Sequence, residues 1–141
     1  MIQNLYVPFF LGVGGRIGSG TQWFPWIHAR DCAGIIVHAI ENDNVSGVMN
    51  AVAPAADTNA DFTKAFASAM WRLALFPVPE FALNLVFGAE RAGPMVKGPK
   101  VVPKRTLESG YEYRYPDLAS ACKEFSRFSA FNEENNPLIF K

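Results

Sequence analysis

Residues 8–41, PFFLGVGGRIGSGTQWFPWIHARDCAGIIVHAIE, decide how the rest of the 141-residue chain is read. The stretch starts apolar, runs through a glycine-rich loop (GVGGRIGSG, 12–20) and an aromatic run (Trp23-Phe24-Pro25-Trp26), and then turns periodic. Cys32, Ile35, Ile36, Ala39 and Ile40 recur at the i, i+3, i+4 spacing, which predicts a helix from Asp31 with one apolar face. Asp31 stands where a carboxylate meets the positive end of that helix, and the turn residues 42–47 stop it. The glycine loop invites a phosphate-cradle reading but fails its context. A dinucleotide fingerprint follows a strand and opens a helix, whereas an aromatic extended stretch follows here. The loop therefore reads as the rim of a pocket. His28 has two readings: its ring caps or packs the turn into the helix while Asp31 satisfies helix amides, or it faces a pocket.

Outward from this stretch, residues 48–53 form an apolar run closed by Pro54, which predicts a short buried strand. Thr58 with Asp61 three residues on makes a capping box. The helix it opens carries Phe62, Ala65, Phe66, Ala69 and Met70 on one face. A second strand is expected at 75–78, at a sheet edge because Pro77 interrupts it. Residues 80–87 read as a helix apolar nearly all round, stopped by Gly88, and the Gly-Pro pairs at 93–94 and 98–99 leave 89–102 ambiguous. Pro103 suits the first position of a short helix ended by Gly110. Tyr111, Tyr113 and Tyr115 alternate with Glu112 and Arg114, the pattern of a half-buried strand, and Pro116-Asp117 opens a last helix to about Phe125. The tail, 126–141, has no clear period and is expected to be loosely held. No domain boundary is visible within 1–125.

Half the residues are hydrophobic and 13% aromatic, too apolar for a disordered segment. Thirteen basic residues balance thirteen acidic ones, so no long-range field favours nucleic acid or an anionic membrane. No apolar run reaches the roughly 18 residues of a membrane span. Met1–Gly12 lacks a basic lead-in and holds Pro8, unlike a signal peptide. Cys32 and Cys122, far apart and outside any metal-binding spacing, read as apolar fillers of helix faces in a reduced, intracellular setting. Neither a nucleophile–His–Asp set nor three metal ligands at workable spacing is present. The positive residues Arg91, Lys97, Lys100, Lys104 and Arg105 read as a solvated face, with an anion site as the sharper alternative.

Taken in order, Pro8-Phe9, Gly-x-Gly-Gly (12–15), Gly-Ser-Gly-x-Gln (18–22) and Trp-Ile-His-x-x-Asp (26–31) resemble a segment of the epimerase family within the extended short-chain dehydrogenase/reductases, its 39U branch. GVMNAVAP (47–54), TNADFTKAF (58–66), Pro77-Val78-Pro79 and VVPKRTLESGYEYRYPDL (101–118) continue the same order, so the resemblance covers about residues 1–125, with a branch-specific C-terminal module at about 90–125.

That resemblance implies an α/β fold: the C-terminal part of a Rossmann-type NAD(P)-binding fold with its substrate-binding lobe, the dinucleotide-binding half being absent from these residues. It implies NADP or NAD as cofactor of the full-length family and a small-molecule substrate. The family's catalytic pair is Tyr-x-x-x-Lys, in which the tyrosine is the general acid/base and the lysine holds the cofactor ribose. Tyr6, Tyr111, Tyr113 and Tyr115 are followed four positions on by Phe10, Tyr115, Asp117 and Ala119, so the pair is not in this sequence. The chain alone is expected to hold no cofactor and to be inactive, as a fragment or truncated form. The resemblance marks Gly20, Gln22, Phe24, Trp26, His28 and Asp31 as substrate-pocket candidates. Relatives that act on nucleotide sugars often carry an arginine where Phe24 stands, which argues against that substrate class. Two other readings stand beside this one: a non-enzymatic module that pairs with a partner chain, or with itself, through an exposed apolar face, and a small-molecule binder built on Trp23, Phe24 and Trp26.

Overall fold

A computed structural model describes Phe9 and residues 14–74, 77–79 and 97–124. Among them the helices are α1 (Ala29–Glu41), α2 (Asn59–Ala69), α3 (Lys104–Glu108) and a final helix, α4, over residues 118–124. The helix expected at 80–87, the Leu75 end of the second strand and the tail lie outside the described residues.

α2 forms as its sequence dictates. The Thr58 hydroxyl accepts the Asp61 amide, and the Asp61 carboxylate accepts the Thr58 amide at 2.9 Å, so two of the helix's orphan donors are satisfied reciprocally. Its apolar face makes the core. Phe62, Phe66 and Ala67 pack with Phe9 and with Leu118 and Cys122 of α4, and Phe24, Trp26, Ala65, Ala69 and Met70 surround them. The Phe9 ring meets Phe66 edge-on at 5.0 Å, and Phe24 lies 4.4 Å from Phe62, geometries that add attraction beyond area burial. Cys122 fills a gap there, and burial pushes its thiol up to about 11.

α1 begins two residues earlier than Asp31, with His28 as its N-cap. Ile35 is buried, but Ile36, Val37 and Ile40 are exposed, Ile40 to 77%. The predicted apolar stripe is therefore real and only partly covered. Gly34 is a glycine for a reason of space: a Cβ there would strike the Tyr111 hydroxyl. α3 lies where it is expected but is one residue shorter at each end, with Pro103 at the N-cap rather than the first helical position, Ser109 at the C-cap and Gly110 (φ 80°) just beyond.

The strands expected at 48–53, 75–78 and 111–115 are not ladders among the described residues, where only two isolated bridges occur, Ile17 with Val78 and Trp23 with Thr58. A strand is stabilised by a neighbour's amides and carbonyls. Val78 finds one such neighbour in the glycine loop, accepting from Gly18 at 3.1 Å and donating to Arg16 at 2.8 Å. Residues 48–53 and 111–115 bind each other through side chains instead: Tyr113 donates to the Val52 carbonyl at 2.9 Å. The alternation at 111–115 is nonetheless kept as alternating burial.

Candidate functional site

The glycine loop is closed on itself and on α2. Gly20, at φ 74°, occupies a conformation open to glycine at little cost, and its amide donates to Ile17 at 2.9 Å. The buried Asn59 side chain accepts the Ile17 amide at 2.7 Å, and Thr21 donates to Ser19. With Gly18 bonded to Val78, the amides at 17, 18, 20 and 21 all have partners within the chain. A pyrophosphate cradle needs such amides unpaired and convergent, so residues 17–21 do not fit the phosphates of a dinucleotide. Gln22 follows, its side-chain amide donating to Ile17 at 3.2 Å and its carbonyl accepting from Asn59 at 2.9 Å. Asn59 thus joins the loop to the start of α2, a role that no sequence motif signalled.

Phe24 and Trp26 form a wall rather than an open rim. Phe24 stacks on Phe62, and the Trp26 indole donates to Asp57 at 2.7 Å. Trp23, Phe24 and Trp26 share a crevice with Pro99 and Lys100 whose volume is about 10 Å³, room for no more than a water. The Lys100 ammonium lies 4.6 Å from the Trp23 ring, a cation–π contact. Gly98 passes so close to the Trp23 carbonyl that a Cβ would overlap it.

His28 and Asp31 form a third place. The His28 Nδ1 accepts the Arg30 amide at 3.2 Å, which leaves Nε2 to carry the proton in the neutral ring, and the ring lies 3.9 Å from that of Tyr115. Desolvation by burial lowers the His28 pKa below 6.5, against the opposing pull of Asp31. Asp31 is fully buried. Rather than capping α1, its carboxylate accepts the Arg114 amide at 2.8 Å, the Tyr115 amide at 2.9 Å and the Tyr111 hydroxyl at 3.2 Å. Burial and that carboxylate together push the Tyr111 hydroxyl above the usual tyrosine value. Arg30 completes the clamp, reaching the Tyr115 hydroxyl at 2.9 Å and Glu124 at 3.0 Å. Sequence reading placed Asp31 beside a helix end; its true partners lie more than 80 positions away, beyond any local signal.

The six candidates thus fall into a closed loop (Gly20, Gln22), a core wall (Phe24, Trp26) and a clamp (His28, Asp31). The positive residues of 97–105 disperse rather than converge: Lys100 covers Trp23, Lys104 pairs with Glu108, and Arg105 donates to Ser46. Among the described residues no three His, Cys, Asp or Glu side chains group as metal ligands, and no helix is long and apolar enough to cross a membrane.

Comparison with known proteins places this architecture. A family model described as a domain of unknown function (DUF1731) matches residues 78–125. The bovine epimerase family protein SDR39U1 is 52% identical over 124 residues, 87% of this chain and 42% of its own length. The Bacillus subtilis epimerase family protein YfhF is 38% identical, over 85% of this chain and 39% of its own. The crystal structure of human SDR39U1 (isoform 2) with NADPH superposes with a TM-score of 0.85 at 48% identity, covering 89% of this chain and 43% of that one. The chain therefore spans less than half the length of the relatives it matches, and it belongs to the epimerase family of the SDR39U1 branch, corresponding to the C-terminal part of its members.

Proposed function

We propose that this chain is the substrate-side portion of an NADP(H)-linked epimerase- or oxidoreductase-like protein, and that it is inactive until a dinucleotide-binding half is joined to it. The observation that carries the reading is the bare apolar face of α1, where Ile36, Val37 and Ile40 are exposed. In a Rossmann-type fold such a face packs on a sheet. Covering three aliphatic side chains contributes on the order of 5 kcal/mol, comparable with the whole stability of a small domain. The Tyr-x-x-x-Lys pair is absent from the sequence, and the loop amides at 17, 18, 20 and 21 are already taken, so the dinucleotide and the proton-transfer groups would come from the other half.

The part this chain would play is to shape the substrate's side of the cleft. His28 would present its Nε2–H to a ligand, held in orientation by its own cap and by Tyr115, with Asp31 fixing Tyr115 behind it. Gly20, Gln22, Phe24 and Trp26 would support the facing wall. The full-length assembly would take NADP(H), as the NADPH-bound human relative suggests.

Co-production with the N-terminal portion of human SDR39U1 tests this. A stable one-to-one complex that binds NADPH is expected, with no NADPH oxidation by the 141-residue chain alone. The same exposed face also supports a second reading, a non-enzymatic module that pairs with a different chain. Failure to associate with the SDR39U1 portion, together with self-association of the isolated chain, would favour that reading.

A further inference from the structure

A cavity of about 570 Å³ contains none of the six pocket candidates. It runs along one face of α2, and its wall includes Arg16, Thr63, Lys64, Ser68, Trp71 and Arg72. That volume is within the range of small-molecule sites. Three of these residues are cations, and no carboxylate is among the described lining residues. Arg16 and Lys64 are 48 positions apart in sequence, so only the fold brings them to one groove.

The two ends of the groove differ in chemistry. At the start of α2 the Arg16 side chain lies beside Gly20 and Ala60: a Cβ on Gly20 would sit 3.2 Å from the Arg16 Cβ and 3.0 Å from that of Ala60. Lys64 follows one turn along. At the far end stands Trp71, 94% exposed and with a positive φ of 55°. Trp71 is the residue just past the helix cap. Its amide donates to Ser68 at 3.1 Å and the next, Arg72, to Ala67 at 2.9 Å, the paired bonds of a Schellman ending. Glycine takes that left-handed position at least cost, and a large L-residue is strained there. An exposed indole held in a strained conformation at the mouth of a cavity is the kind of feature that marks a ligand contact.

We propose that this groove binds a small ligand with a phosphate at one end and a flat ring at the other. The phosphate lies at Arg16 and Lys64, away from the negative C-terminal end of the α2 dipole. The ring lies against Trp71. The helix rises roughly 8 Å from Lys64 to its end at Ala69, and Trp71 stands two residues beyond, a spacing on the scale of the ring and terminal phosphate of a nucleoside diphosphate. The inference does not rest on the proposed function, because its residues are not those of the clamp or the wall.

The test is calorimetric titration of the 141-residue chain with adenosine diphosphate, inorganic pyrophosphate and adenosine at matched ionic strength. Saturable binding is expected in that order of strength, adenosine being weakest. Replacing both cations (Arg16→Ala with Lys64→Ala) should weaken adenosine diphosphate at least tenfold, since each removes a charge-assisted contact from exposed side chains. Trp71→Gly should bring adenosine diphosphate down to the pyrophosphate level while raising the melting temperature, so that lost binding cannot be ascribed to lost fold. Absence of saturable binding, or binding that neither variant alters, overturns the proposal. NADPH itself carries phosphates and an adenine: any NADPH heat abolished by the double cation variant belongs to the groove, whereas complex formation with the SDR39U1 portion is untouched by that variant.

Discussion

α1 and α2 are helices of similar length, 13 and 11 residues, with opposite surroundings. α2 meets every partner it needs within the chain: its cap is reciprocal, its phenylalanines are packed on both sides, and its end is closed by two backbone bonds. α1 is divided. Its first turn is bound by the Asp31 clamp, yet its later turns expose three aliphatic side chains. The difference teaches that a segment can be fixed in place without being complete. The clamp orients α1 and holds the 111–124 region against it; under the proposed function, the outer face of α1 is held for the dinucleotide-binding half.

Five substitutions separate the two helices. The largest effect belongs to α2. Phe66, 1% exposed, is expected to cost about 4 kcal/mol on replacement by alanine, enough to unfold the chain, whereas Ile40→Ser should change stability by no more than about 0.5 kcal/mol. Chemical denaturation monitored by circular dichroism reads both, and similar costs for the two would erase the contrast. Next comes the clamp. Asp31→Ala strands the Arg114 and Tyr115 amides and should cost about 3 kcal/mol. Hydrogen exchange should show these two amides losing protection before any in α2; uniform loss across the chain would contradict a local clamp.

Trp71→Gly should stabilise the end of α2 by about 1 kcal/mol, by relieving a left-handed tryptophan. A lower melting temperature would mean that the indole supports the fold. The smallest effect is one of pH. The folded pKa of His28 lies below its ordinary 6.5, so the unfolded chain takes up this proton first as pH falls. Its contribution is fully present above 6.5 and is lost as pH drops through 6.5 to the lower folded value. A His28→Asn variant, which keeps a side-chain acceptor at the cap, should flatten the stability profile across that window; an unchanged profile would assign the slope to other groups.

These contrasts also show what could be read from the amino acids. Features whose causes are local were legible: the Thr58–Asp61 box, the Phe62/Phe66 face, the short helix closed by Gly110 and the role of Cys122 as a filler all follow from residues a few positions apart. The order of motifs from Pro8 to Leu118 identified the family, because several spaced signals constrain each other. The strands expected at 48–53 and 111–115 were misread because an apolar run or an alternation reports which side of a segment is buried, and a ladder needs a second strand that the two do not find in one another. Asp31 was placed correctly and given the wrong partners, since its carboxylate is satisfied by a segment distant in sequence. The groove on α2 was invisible for the same reason: Arg16, Lys64 and Trp71 become neighbours only after folding.

The most direct measurement is to produce the chain with and without the N-terminal portion of human SDR39U1 and follow NADPH by absorbance and by binding. The account predicts a one-to-one complex that holds NADPH and is broken by charging the α1 face (Ile36→Asp with Ile40→Asp), with the isolated chain unable to oxidise the cofactor. NADPH oxidation by the 141 residues alone, or a complex indifferent to those two aspartates, would contradict it.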